Sequence, residues 1–251
     1  MRAFFVSLLK VFSIKTTELT SQLYAMKKYL FLSLAFALLS LQASCQSNEK
    51  NKKEASVAQN EQTPVQVPAI DGLDRAYFAS GCFWCVEAVY ESVKGVEESI
   101  SGYSGGHTDN PTYEASNTGL TGHAEAVEII YDASVISFSD LVDVYFGSQN
   151  ISQVNGQGPD NGSQYRSIIF YQNAEQKNII DAKIAEIEKE IGEGKVAAQV
   201  LPFQKFWVGE GYHQNFERLN PNHGYIQNVS VPRLKRFQKK FPHLLKEGAG
   251  H

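Results

Sequence analysis

The chain has 251 residues, of which 43% are hydrophobic and 20% charged, with a net charge of −4 at pH 7. That balance is ordinary for a globular protein and excludes a fibrous or wholly disordered one. Three cysteines are too few for a disulfide scaffold, and the acidic balance argues against nucleic acid as a partner, since that affinity rests on Lys and Arg.

Met26-Lys27-Lys28 opens a short basic stretch, and residues 29–41 form an uncharged apolar run. A basic region before about 7–15 apolar residues reads as a secretory signal. The run is shorter than the roughly 20 residues of a membrane-spanning helix. Leu41-Gln42-Ala43-Ser44-Cys45 then resembles a bacterial lipoprotein cleavage site, with Gln42 standing where leucine is usual. Residues 1–45 are therefore expected to be a signal region whose translation starts at Met26, with a lipid on Cys45. An ordinary secretory signal with an incidental cysteine is the alternative. Either places the chain in a bacterial cell envelope, and a lipoprotein would face the periplasm or the cell surface. Residues 1–45 hold five Lys or Arg and one acid, so the remainder carries a net charge of −8.

Residues 46–71 are polar, contain proline and nearly lack large apolar groups, a composition that cannot bury enough surface to fold. They read as a flexible tether. Aromatic and β-branched residues then become frequent, marking one domain over 72–245, with 246–251 as a tail.

Within that domain residues 75–79 read as a short strand that ends at Ser80-Gly81. Residues 82–93 read as a helix with Val86, Val89, Tyr90 and Val93 on one face. Residues 96–103 are strand-like and stop at Gly105-Gly106, and 124–131 is the clearest strand. Residues 138–146 form an amphipathic helix capped by Ser137 or Ser139, followed by a strand over 165–171. A helix over 174–191 places Ile180, Ile184, Ile187 and Ile191 in a core stripe, and 231–240 reads as a basic surface helix. Strands alternating with helices, some joined by Gly-rich links, give a two-layer α/β sandwich with a mixed sheet.

The central chemical signal is Gly81-Cys82-Phe83-Trp84-Cys85-Val86-Glu87. A thiol at a helix start meets unpaired amides and the dipole, which lower its pKa and make it a nucleophile. Cys85, three residues on, falls on the same side of the first turn. Such a pair can do redox work, form a structural bridge or hold a metal. Zinc would want four ligands, and neither a second such pair nor histidines at finger spacing are present. Phe83 and Trp84 between the thiols would wall a small apolar pocket, or be core.

Strand alternation over 124–131 puts Glu125 on one face with Val127, Ile129 and Tyr131. An acid among apolar groups is desolvated and stays protonated near neutrality, so it can donate to an oxyanion. An exposed strand-end Glu beside Gly122 is the bland alternative. Tyr113, after Asn110-Pro111, and Tyr165, after the turn at Gly158-Pro159-Asp160, are phenols on loops suited to an oxygen ligand, although twelve tyrosines make some of this chance.

The blocks GCFWCVE, GYSGG, NPTYE, TGHAEAVEIIYD, GSQYRS, YHQNF and NPNHGYI together resemble the A-type peptide-methionine sulfoxide reductase family, over residues 78–226. The resemblance implies a ferredoxin-like α/β core, no metal and no organic cofactor. It implies Cys82 as nucleophile, Phe83 and Trp84 as methyl pocket, and Glu125 as the acid at the sulfoxide oxygen. Tyr113 and Tyr165 match its assisting phenols, Asp160 a polar residue of the same site and Tyr225 a nearby aromatic. Ile226 stands where many members carry a recycling cysteine, and Cys85 where others have glycine. Cys85 is then the candidate resolving thiol, unless Cys45 is free. The implied reaction reduces methionine S-sulfoxide, free or in proteins, through a Cys82 sulfenic acid and a Cys82–Cys85 disulfide. A thioredoxin-like reductant recycles that disulfide, and the protein is expected to work as a monomer. The rival enzymatic reading is an envelope thiol–disulfide oxidoreductase, which leaves Glu125 without a role. The non-enzymatic rival is a surface lipoprotein that binds a partner and uses Cys82–Cys85 as a bridge.

Overall fold

The fold is seen in a computed structural model that describes residues 62–249. The signal region, Met26, Cys45 and most of the expected tether lie outside those residues. The described strands are β1 (Asp74–Ala79), β2 (Val96–Ser104), β3 (Ala124–Tyr131), β4 (Gly156–Gln157), β5 (Asp160–Asn161), β6 (Ile168–Tyr171), β7 (Gln199–Pro202) and β8 (Phe206–Val208). The helices are α1 (Phe83–Glu91), α2 (Tyr113–Asn117), α3 (Phe138–Gly147), α4 (Ala174–Ile191), α5 (Phe216–Leu219) and α6 (Val231–Lys240).

Six strands form one sheet in the order β7-β6-β1-β3-β2-β8, and β4 pairs with β5 alone. Every pairing in the large sheet is antiparallel except β6 with β7. The central order β6-β1-β3-β2, with α1 between β1 and β2 and α3 between β3 and β6, is the ferredoxin-like β-α-β-β-α-β arrangement. The expected α/β sandwich with a mixed sheet is therefore the fold.

Alternation along β1 and β3 sends side chains to two different cores. Phe78, Val127, Ile129 and Tyr131 pack with Val86, Val89 and Tyr90 of α1 and with Leu141 and Tyr145 of α3. Tyr77, Ala124 and Ala126 face the opposite way, against Ile168, Phe170, Leu201 and Phe203. Tyr77 and Phe203 stack there at 3.8 Å. That second face is covered partly by residues the composition assigned to the tether. Val65 N–H donates to Phe203 O at 2.8 Å and Val67 N–H to Gln172 Oε1 at 2.8 Å.

Several element limits differ from the sequence reading. Cys82 is the N-cap of α1 rather than its first residue, and α1 closes at Glu91 because Ser92 Oγ donates to Val89 O at 2.7 Å. Tyr165 ends a 3₁₀ turn (Ser163–Tyr165), and the strand begins only at Ile168. Ser137, not Ser139, caps α3, in a reciprocal box with Asp140. In α4 Ile180 is buried while Ile191 is 39% exposed, so the stripe leaves the core before the helix ends. The expected basic surface helix α6 buries Arg233, Phe237 and Gln238. Phe237 and the Arg233 guanidinium face the sheet-and-helix core, while Lys235, Arg236, Lys239 and Lys240 are exposed.

Candidate active site

The turn from β1 into α1 sets the position of Cys82. Gly81 has φ +77°, and a Cβ there would lie 2.4 Å from the Gln157 Cβ, so only glycine fits without displacement. Arg233 holds the residue before it. Its Nε donates to Ser148 O, Nη1 to Ser80 O and Nη2 to Ser80 Oγ, each at 2.8 Å. Cys82 O then accepts from Cys85 N–H at 3.1 Å and Val86 N–H at 3.3 Å, opening the helix.

Cys82 and Cys85 are both free, buried thiols. The helix start was expected to lower the Cys82 pKa, and the structure reverses this. Burial pushes the Cys82 thiol well up, and its hydrogen bond with Cys85 and the nearby Glu125 act in the same direction. The first amide of α1 is not available to a Cys82 thiolate, because Phe83 N–H donates to Glu125 Oε2 at 3.0 Å. Cys85 is the more acidic thiol. Its hydrogen bond from Cys82 lowers its pKa against the effect of burial, helped by Arg233, Ser230 and Tyr225.

Glu125 sits on β3 opposite Tyr103 of β2 and is 2% exposed. Burial raises its pKa to about 8, only partly offset by the Phe83 amide. It is a buried neutral acid at pH 7, as the strand pattern implied.

Phe83 and Trp84 take different environments. Phe83 is buried, with ring centroids 6.3 Å from Tyr113 and 4.7 Å from His213. Trp84 stacks on Phe216 at 3.7 Å, and its indole N–H donates to His213 Nδ1 at 3.1 Å. Tyr113 opens α2, with its N–H donating to Glu210 Oε1 at 2.8 Å. Tyr165 O–H donates to Asn117 Oδ1 at 3.5 Å. Both phenols lie close enough to Glu125, Cys82 and Asp160 to have their pKa values raised by them, beyond the effect of burial. Tyr225 O–H donates to Asp160 Oδ2 at 2.6 Å and lies 3.6 Å from Cys85 Sγ. All nine residues singled out in the domain are thus brought to the two ends of one CxxC turn.

The sequence model of the family described as peptide methionine sulfoxide reductase matches residues 74–245. The chain belongs to that family. The peptide methionine sulfoxide reductase MsrA of Pasteurella multocida is 46% identical over 172 residues, covering 68% of this chain and 98% of that protein. The MsrA of Saccharolobus solfataricus is 45% identical over 174 residues, covering 69% and 98%. Among solved structures, methionine sulfoxide reductase A of Corynebacterium diphtheriae superposes with a TM-score of 0.56 at 27% identity, over 66% of this chain and 88% of the other. Reduced Mxr1 of Saccharomyces cerevisiae gives 0.54 at 30% identity, over 64% and 92%.

In this reductase-family chain four site residues escaped the sequence reading. Glu210 accepts from Tyr103 O–H at 2.8 Å as well as from Tyr113, and lies 3.7 Å from His213 Nε2. Phe216 stacks on one face of the Trp84 ring, and His213 holds its N–H edge. Their block, YHQNF, was visible, but nothing in its spacing assigned it to a pocket. Arg233 was hidden because a single arginine on a basic helix reads as solvated.

Proposed function

We propose that this chain reduces methionine S-sulfoxide, free and in proteins, with Cys82 as nucleophile. The observation that carries the reading is the meeting of Cys82, the Phe83 ring and a neutral Glu125 at the first turn of α1. The apolar walls of Phe83 and Trp84 suit the methyl group, which leaves the sulfoxide sulfur facing Cys82 and its oxygen facing Glu125, Tyr113 and Tyr165. Cys82 shares a hydrogen bond with Glu125 and attacks as its thiol proton passes to that carboxyl, replacing the proton that Glu125 gives up. Glu125 donates its proton to the oxygen as negative charge develops there, in a site closed to water, where such a donor acts most strongly. Methionine departs and oxygen remains on Cys82 as a sulfenic acid.

Cys85, the acidic thiol of the pair, then attacks the Cys82 sulfur. A Cys82–Cys85 bond forms and the oxygen leaves as water. A thioredoxin-like reductant reopens the disulfide by thiol exchange. We further propose that the domain acts as a monomer in a bacterial envelope, tethered through a lipid on Cys45. The basic stretch and the apolar run that precede Cys45 support that part of the reading.

The test is incubation of the chain with both methionine sulfoxide epimers and dithiothreitol, followed by chromatography. Loss of the S epimer alone, abolished by Cys82→Ser, is the expected result. A folded protein that consumes neither epimer would overturn it.

A further inference from the structure

A cavity in the described residues adjoins Cys85 and not Cys82. It measures 680 Å³, and its wall includes Cys85, Tyr225, Asp160, Arg233, Arg236 and Lys240. That volume suits a small molecule rather than a protein loop. Three of its lining residues are cations at 3- and 4-residue spacing along α6, which puts them on one side of the helix. Arg236 and Lys240 are exposed, and neither forms an ion pair among the described residues. The one carboxylate in the wall, Asp160, is already engaged by the Tyr225 phenol. The space beside Cys85 is therefore electropositive and open, while the Cys82 side is walled by aromatic rings.

We infer that this cavity binds a low-molecular-mass thiol carrying carboxylates, which reduces the enzyme directly at Cys85. The inference rests on the reading of Cys85 as resolving thiol. Carboxylates pair with Arg236 and Lys240 and hold the thiol against the Cys85 sulfur. Its thiolate attacks Cys85 Sγ of the Cys82–Cys85 disulfide. A mixed disulfide forms on Cys85, and Cys82 leaves as a thiolate that takes up a proton. A second small thiol attacks the small-molecule sulfur of that mixed disulfide, forms the small-molecule disulfide and releases Cys85 as thiolate. Two thiols lose two electrons, and the protein disulfide gains them. Approach from this cavity fixes which sulfur is attacked, because Cys82 is not in its wall.

The test uses the full chain, oxidised with one equivalent of methionine S-sulfoxide in the absence of reductant. Release of one methionine with loss of both thiols checks the function reading separately. If no methionine forms, that reading has failed, and the disulfide is made with diamide so that the cavity is still measured. The rate of disulfide opening is then followed with glutathione and with its diethyl ester, each normalised to its rate against a neutral aromatic disulfide. Glutathione is expected to saturate and to react about tenfold faster than the ester, the effect of ordinary charge-assisted contacts. Joint replacement Arg236→Gln and Lys240→Gln should erase that preference while changing the ester rate less than about twofold. Rapid alkylation and fragment mass spectrometry should find the glutathione adduct on Cys85. Equal, non-saturating rates for acid and ester, or an adduct on Cys82, would overturn the proposal.

Discussion

Phe83 N–H donates to Glu125 Oε2 at 3.0 Å, and this bond divides the labour at the start of α1. An amide that could have stabilised a Cys82 thiolate instead fixes the acid. The bond lowers the Glu125 pKa, yet burial outweighs it and leaves the group at about 8. The site therefore holds a positioned neutral acid beside a thiol that resists ionisation.

That pairing predicts the pH profile of the first turnover. The neutral form of Glu125 is present below about pH 8 and is lost above it, so the rate should fall on that alkaline side. Glu125→Gln keeps a hydrogen-bond donor but no transferable proton. It should slow methionine formation by about 10²–10³-fold and remove the fall near pH 8. Rapid-quench measurement of a single turnover checks both. An unchanged alkaline limb in the Gln variant would assign it to another group.

The resolving role of Cys85 predicts a stoichiometric defect. Cys85→Ser should release one methionine per chain at close to the normal rate and then stop, even with a thioredoxin system supplied. The Cys82 sulfenic acid should accumulate and react with dimedone. Continued thioredoxin-driven turnover would transfer the resolving role away from Cys85.

The legible parts of this protein were those written in short-range pattern. Glu125 declared itself through alternation with Val127, Ile129 and Tyr131, and α3 through its amphipathic pattern after a serine at 137 or 139. What the pattern could not carry was contact between distant segments. Arg233 reaches Ser80 across 153 residues, and Glu210 joins Tyr103 to Tyr113 from about 100 residues away. The pKa order of the two cysteines failed for a related reason. Helix position was readable, but the burial that outweighs it depends on tertiary packing.

Glu87 makes a prediction about stability. It is 2% exposed, it accepts from Ser101 Oγ and from Asn215 N–H, and burial raises its pKa to about 7. A carboxyl whose folded pKa lies above its unfolded value binds more protons when folded. Its stabilising contribution is full below about pH 4.5 and is lost as pH rises through about 7. Glu87→Gln should therefore flatten the fall in Tm between about pH 5 and 8, by a few degrees. Parallel melting curves for the two proteins across that range would count against an ionising Glu87.

Arg233 predicts a coupled loss of stability and thiol reactivity. Three of its nitrogens reach Ser148 and Ser80 at 2.8 Å, and it lowers the Cys85 pKa from the same position. Lysine carries the charge but cannot present three donors in that planar fork. Arg233→Lys should leave buried carbonyls unpaired and cost about 2–4 kcal/mol, lowering Tm by roughly 5–15 °C. The β1–α1 turn that seats Cys82 would loosen, so methionine formation should slow as well. Arg233→Ala also removes the charge, so its Cys85 alkylation profile should move to higher pH than that of Arg233→Lys. Equal profiles for Lys, Ala and Arg at this position would mean that the guanidinium braces the turn without tuning the thiol. An unchanged Tm in Arg233→Lys would mean that it does not brace the turn either.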